Sequence, residues 1–439
     1  MTSLAMAVSL CALALRLDYS SFVWYTTVMD SRRRFALLQE AALADREHGA
    51  PLRGRPVPYR SLSGDAVGIA RVRVPGGPPT NLMRVMQTNA CSLACGYCPT
   101  WCGGKVERAA LSPDETATTF MQAHRAGVAD GLFLTSGVPG RPARATDRML
   151  ATLDILRRRE GFGGYIHIKL LPGSERAQVD EAVRLANRVS VNLESASDAH
   201  VRALSPDKDL SGDLLPKLER AGQLMLARRR EGRPDEPRPA GVTTQFVVGP
   251  AGESDRDILG LVARLERAQL LHHAHFSAFQ PVVGTPMESL PATPARRELR
   301  LYQAEHLLRE YGFVFDELPF ERDGALALDH DPKTAWARAH PERFPVEITR
   351  APLEALLRVP GVGPKSARAL VAERRRTVIR GRADLARAGV DVERAAFYLT
   401  LGGRRVAATP PPDQLRLFAH GRHLTQAPYN TVVPPCAYR

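Results

Sequence analysis

From about residue 80 to residue 290 the chain alternates short β-prone runs with longer amphipathic ones. The short runs are "NLMRVMQT", "GLFLTSG", "GYIHIKLLPG", "RVSVNLES", "TTQFVVG" and "AHFSAFQPV". Between them apolar residues recur at helical spacing in "DRMLATLDILRRR", "SERAQVDEAVRLANR", "LLPKLERAGQLMLARRR" and "SDRDILGLVARLERA". A further helix opens at Ser112 with "SPDE", a capping box with proline at the first helical position. Strand then helix, six times over, predicts a parallel sheet or an incomplete barrel rather than a sandwich. "EGRPDEPRPA" reads as a charged surface loop ahead of the fifth strand.

Side-chain alternation adds a second layer. Successive strand residues point to opposite faces, so Ser190, Asn192 and Glu194 share one side while Val191 and Leu193 share the other. His167 and Lys169 oppose Ile166 and Ile168, Thr243 and Gln245 oppose Phe246 and Val248, and His275 and Ser277 oppose Phe276. With helices covering the outside of a parallel sheet, the polar side must face a lumen. Asn, Glu, Lys and His lining that lumen predict a polar ligand. A half-exposed antiparallel sheet alternates in the same way, but the intervening helices weigh against it.

After residue 290 the pattern changes. A long helix, "PARRELRLYQAEHLLREYG", leads into a stretch rich in proline and charge that reads as an ordered linker, closing the span 291–345. Residues 346–405 form a small helical unit, and 406–439 read as a loose tail. At the other end, "SLAMAVSLCALAL" is too short to span a bilayer and lacks the basic flank of a secretion signal. Met29 is followed by an amphipathic helix, so residues 1–28 read as an upstream mis-start or a dispensable extension of a lead-in segment ending near residue 79. A cytoplasmic protein without membrane attachment is expected.

Composition changes this picture little, since 44% hydrophobic and 24% charged residues are ordinary for a globular protein. Charge changes it more. The 60 Lys and Arg against 47 Asp and Glu give +13 and a pI near 9.8, which suits a polyanionic partner such as nucleic acid.

The candidate chemistry starts in "TNACSLACGYCPTWCGG", which holds four of the six cysteines. Cys11 and Cys436 stand at the far ends, a distribution that fits a metal site in a reducing compartment better than a disulfide framework. The spacing is Cys91-x3-Cys95-x2-Cys98, with Cys102 four residues on. The loop follows the first strand directly, so it lies at that strand's carboxyl end, where barrel ligand sites gather. Thiolates favour zinc or iron–sulfur clusters. Cys102 could complete a structural zinc site, yet the second knuckle such sites use is missing. Three cysteines within eight residues can instead cap three irons of a cubane and leave the fourth open.

"CSLACGYC" resembles the cluster loop of radical S-adenosylmethionine enzymes, including the aromatic Tyr97 before the third cysteine. The resemblance implies an α/β fold, a partial (βα)6 TIM-like barrel of the radical SAM type over residues 80–290. It implies Cys91, Cys95 and Cys98 as ligands of a [4Fe–4S] cluster whose open iron chelates S-adenosylmethionine. Other contacts to that cofactor follow by position: Thr135, Ser136 and Gly137 resemble the turn that meets its amino group, though the family's acidic residue is missing there. Asn192 and Glu194 resemble the polar pair near ribose and carboxylate, the lumen-facing Lys169 joins them, and Gly249 in "VVGPAGES" resembles the turn that approaches adenine. Cys102 reads as a bystander thiol. An electron donor such as flavodoxin or ferredoxin is also implied.

A second motif, "LLRVPGVGPKSARALVAERR", covers residues 356–375. Gly361 and Gly363 allow a tight turn with no side chain between backbone and partner. The following helix N-terminus is a ready phosphate site, to which Lys365 adds charge and Arg374, Arg375 and Arg376 a basic surface. Residues 346–405 carry 13 Lys and Arg against 6 Asp and Glu, about half of the chain's excess. This resembles the helix–hairpin–helix of proteins that bind the DNA backbone without reading sequence, and implies a small all-α DNA-binding domain with contacts at Gly361, Gly363 and Lys365. A packing corner or protein-docking unit is the plainer alternative.

Together the two motifs resemble DNA modification or repair radical S-adenosylmethionine proteins that are linked to a uracil-DNA-glycosylase-like partner. Ala94 stands where that family commonly has Asp, and "PTWCGG" where it tends to have Asn-Arg. The expected activity is radical modification or repair of nucleic acid, with DNA as the expected substrate. Two rivals stay open: the same chemistry on RNA or protein, and a non-enzymatic DNA-binding protein with a structural cluster or zinc.

Overall fold

Each β-prone run becomes a strand because its apolar side finds a helix to pack on. The computed structural model describes residues 30–43, 57–60, 66–73, 79–232 and 237–409. The proposed start at Met29, most of the tail, Cys11 and Cys436 lie outside the described residues. In chain order the first compact unit, which runs to Leu326, begins with α1 (Ser31–Leu43), β1 (Val57–Arg60), β2 (Ala66–Arg73) and β3 (Pro79–Met86). Then come α2 (Pro113–Arg125), β4 (Gly131–Thr135), α3 (Pro142–Asp154), β5 (Tyr165–Leu170), α4 (Arg176–Leu185), β6 (Arg188–Val191) and α5 (Asp198–Leu204). The unit continues through α6 (Leu215–Glu231), β7 (Gly241–Val248), α7 (Asp255–Arg267), β8 (His273–Ala278) and α8 (Ala295–Glu310).

One sheet runs β1 to β8 in sequence order, and every pair from β3 to β8 is parallel. The six expected strands are all present, curled into a half-barrel. β1 and β2 extend it antiparallel, an addition the strand–helix repeat gives no sign of because it precedes the repeat. The capping box of α2 forms as its sequence demands: Glu115 N donates to Ser112 Oγ (3.1 Å) and Ser112 N to the Glu115 carboxylate (2.8 Å), a contribution of about 1 kcal/mol.

The alternation holds. Ile166, Ile168, Val189, Val191 and Phe276 are buried on the apolar side, each side chain contributing about 1.5–3 kcal/mol. On the other side Arg84, Phe133, His167 and Arg188 stand level across β3 to β6. The Arg84 guanidinium lies 5.1 Å from the Phe133 ring centre and the His167 ring 4.7 Å from it. One step nearer the carboxyl ends Lys169, Ser190 and Thr243 are level. Beyond them Asn192 donates to Gln245 (3.3 Å) and Gln245 to Ser277 (3.0 Å). The polar residues therefore form cross-strand rows.

The second unit starts at Ala327. It comprises α9 (Pro332–Ala339), β9 (Val346–Glu347), α10 (Leu353–Arg358), α11 (Pro364–Glu373), α12 (Arg382–Arg387), α13 (Val392–Ala395), β10 (Leu399–Leu401) and β11 (Arg404–Arg405). α9 lies in the stretch that reads as linker, and its Trp336 is buried. The all-α expectation needs correction, because β9, β10 and β11 form a three-stranded sheet. Strands of two or three residues are too short to show a period of two. No helix among the described residues is long and apolar enough to cross a membrane.

Candidate active site at the carboxyl ends of the strands

The chain leaves β3 and enters the cysteine loop through contacts that fix both of its ends. Arg108 donates to four carbonyls of the loop, Asn89 (2.6 Å), Thr100 (2.9 Å), Trp101 (2.8 Å) and Gly104 (3.1 Å). Gly137 lies against its start, where an added Cβ would sit 2.3 Å from Ala90 O, so only glycine fits. Ser92 N and Oγ both donate to Val138 O, at 2.8 and 2.7 Å. Within the Thr135–Gly137 turn, Ser136 Oγ is engaged with Gly137 O (2.7 Å). This turn thus holds the cysteine loop directly.

The segment after α5 holds the loop from the other side. Gly96 N donates to Leu204 O (2.8 Å) and Ala94 N to Asp207 Oδ2 (2.6 Å), while Cys95 Sγ lies 3.2 Å from Ser205 Oγ. The acidic group beside Ala94 comes from residue 207, more than a hundred residues along the chain. Tyr97 packs on the buried cluster of Leu204, Val247 and Phe279. Lys208 Nζ donates to the Tyr97 hydroxyl (3.2 Å) and to Glu194 Oε1 (2.7 Å). Both ionic side chains are almost fully enclosed, at 8% and 2% exposure.

The electrostatics follow from this enclosure. Burial pushes the Cys95 thiol up to about 12, with Lys208 opposing and the neighbouring Cys98 and Cys91 adding to the rise. Burial likewise raises Cys98, while Thr100 beside it pulls the other way. For Lys208, burial disfavours the charge, but Cys95, Glu194 and Tyr97 around it hold the ammonium well above the ordinary lysine range.

Cys91, Cys95 and Cys98 are free thiols. Among the described residues no three His, Cys, Asp or Glu groups are arranged to hold a single metal ion. The donor set fits a multi-iron cluster, in which each thiolate takes a different iron. Nearby buried oxygens also lack partners: Glu194 Oε2, Ser195 Oγ, Ser190 Oγ and Thr243 Oγ1. Such atoms are rare in native proteins unless a ligand or water meets them.

Of the remaining expected residues, Asn192 is half-buried in the polar row, and Lys169 is buried on the same side of β5. Gly249 adopts φ +110°, and its open side is taken by Thr293, whose Oγ1 would lie 1.9 Å from an added Cβ. Arg108 carries no motif signal; Ser205, Asp207 and Lys208 stand in "SPDKDL", a stretch in the style of the resembled family, but only the fold brings them to the loop.

A half-barrel of six parallel strands with a three-thiol loop after the first defines a class, and the comparisons agree. Residues 85–265 match the family model of the Radical SAM superfamily. This part of the chain is similar to a radical SAM domain, the domain of enzymes that use a [4Fe–4S] cluster and S-adenosylmethionine. Solved structures similar to the chain include methylornithine synthase, PylB, at 19% identity and TM-score 0.40, covering 51% of this chain and 62% of that one. The [FeFe]-hydrogenase maturase HydG from Carboxydothermus hydrogenoformans is similar at 15% identity and TM-score 0.39, with 52% and 51% covered. The cobalamin-dependent S-adenosylmethionine radical enzyme OxsB follows at 12% identity and TM-score 0.32, with 66% and 45% covered. The chain thus spans from under half to about three-fifths of the length of these structures. No curated protein matches it.

Proposed function

We propose that Cys91, Cys95 and Cys98 hold the [4Fe–4S] cluster, that the polar groups around Glu194 receive S-adenosylmethionine, and that the enzyme modifies or repairs nucleic acid, with DNA as its substrate. When bound, the cluster supplies the electron that cleaves S-adenosylmethionine to a 5′-deoxyadenosyl radical, which takes a hydrogen atom from substrate. An electron donor must feed it, and flavodoxin or ferredoxin has the right chemistry. The chain's own task is to hold the loop, exclude water and orient the cofactor. Three free thiols within eight residues, clamped at the carboxyl end of β3, carry this reading.

The DNA part rests on the turn between α10 and α11. Gly361 has φ +82°, and a Cβ there would meet Asp391 O at 2.6 Å, so the turn requires glycine for two independent reasons. Lys365 and Arg368, in the helix that follows the turn, are exposed, as are Arg375 and Arg376 just past the far end of that helix. Arg374 is not part of that surface: it donates to Ile348 O (2.8 Å) and Ala351 O (2.7 Å) inside the unit. A helix N-terminus with exposed cations suits phosphates. The reading as a helix–hairpin–helix and the uracil-DNA-glycosylase-like partner belong to this proposal. The match of residues 85–265 to the radical SAM model weighs against the non-enzymatic rival.

The test is to incubate the reconstituted, reduced enzyme with S-adenosylmethionine and deuterated duplex DNA. Deuterium appearing in 5′-deoxyadenosine, together with an altered nucleoside in the digested DNA, is expected. Turnover that takes deuterium only from labelled RNA or protein would move the substrate to that class.

A further inference from the structure

The sequence singles out Glu194 but not its pairing with Lys208, and three observations say that the pair serves the site. First, Glu194 sits at φ +65°, a left-handed conformation that costs a non-glycine residue about 1–2 kcal/mol. Its backbone is held there by ladder bonds to β7, Glu194 N to Gln245 O (3.0 Å) and Val247 N to Glu194 O (2.9 Å). Glycine would relieve the strain, so the carboxylate is kept at a cost. Second, Lys208 occupies Oε1 alone, while Oε2 is buried without a partner. A carboxylate enclosed in protein seldom leaves one oxygen unmet unless a ligand or a water supplies the donor. Third, the same ammonium reaches the Tyr97 hydroxyl, and Tyr97 stands between two of the loop thiols in sequence.

We propose that Lys208 is a positioning residue that presets the Glu194 carboxylate, so that Oε2 accepts a hydroxyl or ammonium donor of S-adenosylmethionine. The inference rests on the preceding reading of Glu194 as a contact to that cofactor. Without Lys208 the carboxylate would be a lone buried charge, free to turn away or take up a proton. Lys208 therefore acts through Glu194 rather than on the reacting atoms.

The experiment is a double-mutant cycle read by binding of S-adenosylmethionine to the reconstituted protein, followed by calorimetry, with iron content measured alongside. Lys208→Met is expected to weaken binding roughly tenfold or more, with iron per chain near that of the wild type. Lys208→Arg should recover part of the loss. In a Glu194→Gln background the same Lys208→Met change is expected to cost almost nothing further, because the group it orients is already gone. That double variant also leaves no lone buried charge, so it remains informative if Lys208→Met alone does not fold. Wild-type affinity in Lys208→Met, or an undiminished loss in the Glu194→Gln background, overturns the inference. A Glu194→Gln variant that binds the cofactor as tightly as the wild type overturns the underlying reading instead.

Discussion

The cysteine loop and the Val359–Gly363 turn both follow an apolar run and both bend the chain tightly, yet their buried polar groups meet different fates. At the barrel mouth Glu194 Oε2, Ser195 Oγ and Ser190 Oγ are enclosed without partners, and three thiols remain free. In the second unit several buried polar groups meet partners inside the protein. Lys333 donates to Val362 O (2.6 Å), Ser366 to Gly389 O (2.6 Å) and Arg394 to Asp331 (2.6 Å), leaving Lys365 and its neighbours outside. The first pattern suits the proposed uptake of a small cofactor; the second suits the proposed contact with a polyanion.

Removing Arg108 strikes the mouth hardest. Arg108→Ala frees four loop carbonyls at once and should cost about 2–4 kcal/mol of local order. Iron retained after gel filtration is expected to fall several-fold, while unfolding of the second unit stays unchanged. Full iron retention would mean that the loop is fixed by its other contacts alone.

Gly361→Ala tests the other side of the comparison. A Cβ at 2.6 Å from Asp391 O and at positive φ should destabilise the second unit by about 2–3 kcal/mol, with iron content as in the wild type. Calorimetric unfolding separates the two effects. A variant as stable as the parent would show that the turn is not tightly packed.

Lys365→Glu reaches only the surface. Duplex DNA should bind several-fold more weakly, and the slope of log affinity against log salt should shrink by about one to two. The cluster and both unfolding transitions should not change. An unaltered salt slope would remove this lysine from any DNA contact.

The smallest effect comes from Glu266, in α7. Burial and the neighbouring Glu305 carboxylate push Glu266 up to about 8, so the folded chain holds this proton more tightly than the unfolded one. The stabilisation is full below the ordinary glutamate value and is lost as pH rises towards 8. Glu266→Gln should melt with the wild type near pH 4 and a few degrees above it at pH 8.

Much of the barrel is legible in the sequence because local signals agree with the global fold there. The Ser112 capping box, the alternation of Val189 to Val191 and the cysteine spacing all concern neighbours in the chain. What was not legible is long-range. Lys208 meets Tyr97 across 111 residues, and nothing in "SPDKDL" distinguishes a buried lysine from an exposed one. The run of Arg374, Arg375 and Arg376 reads as one basic surface, yet the fold turns Arg374 inward to two carbonyls. Short β9 to β11 leave no periodic trace at all.

The central claim is that three cysteines of this loop hold a cluster whose fourth iron is open to S-adenosylmethionine. Electron paramagnetic resonance of the reconstituted, reduced protein, recorded with and without that cofactor, tests it most directly. A [4Fe–4S]⁺ signal that shifts when S-adenosylmethionine is added, and that is lost in Cys91→Ala, is the expected result. A signal indifferent to the cofactor, or a protein that binds zinc and no cluster, would contradict the account.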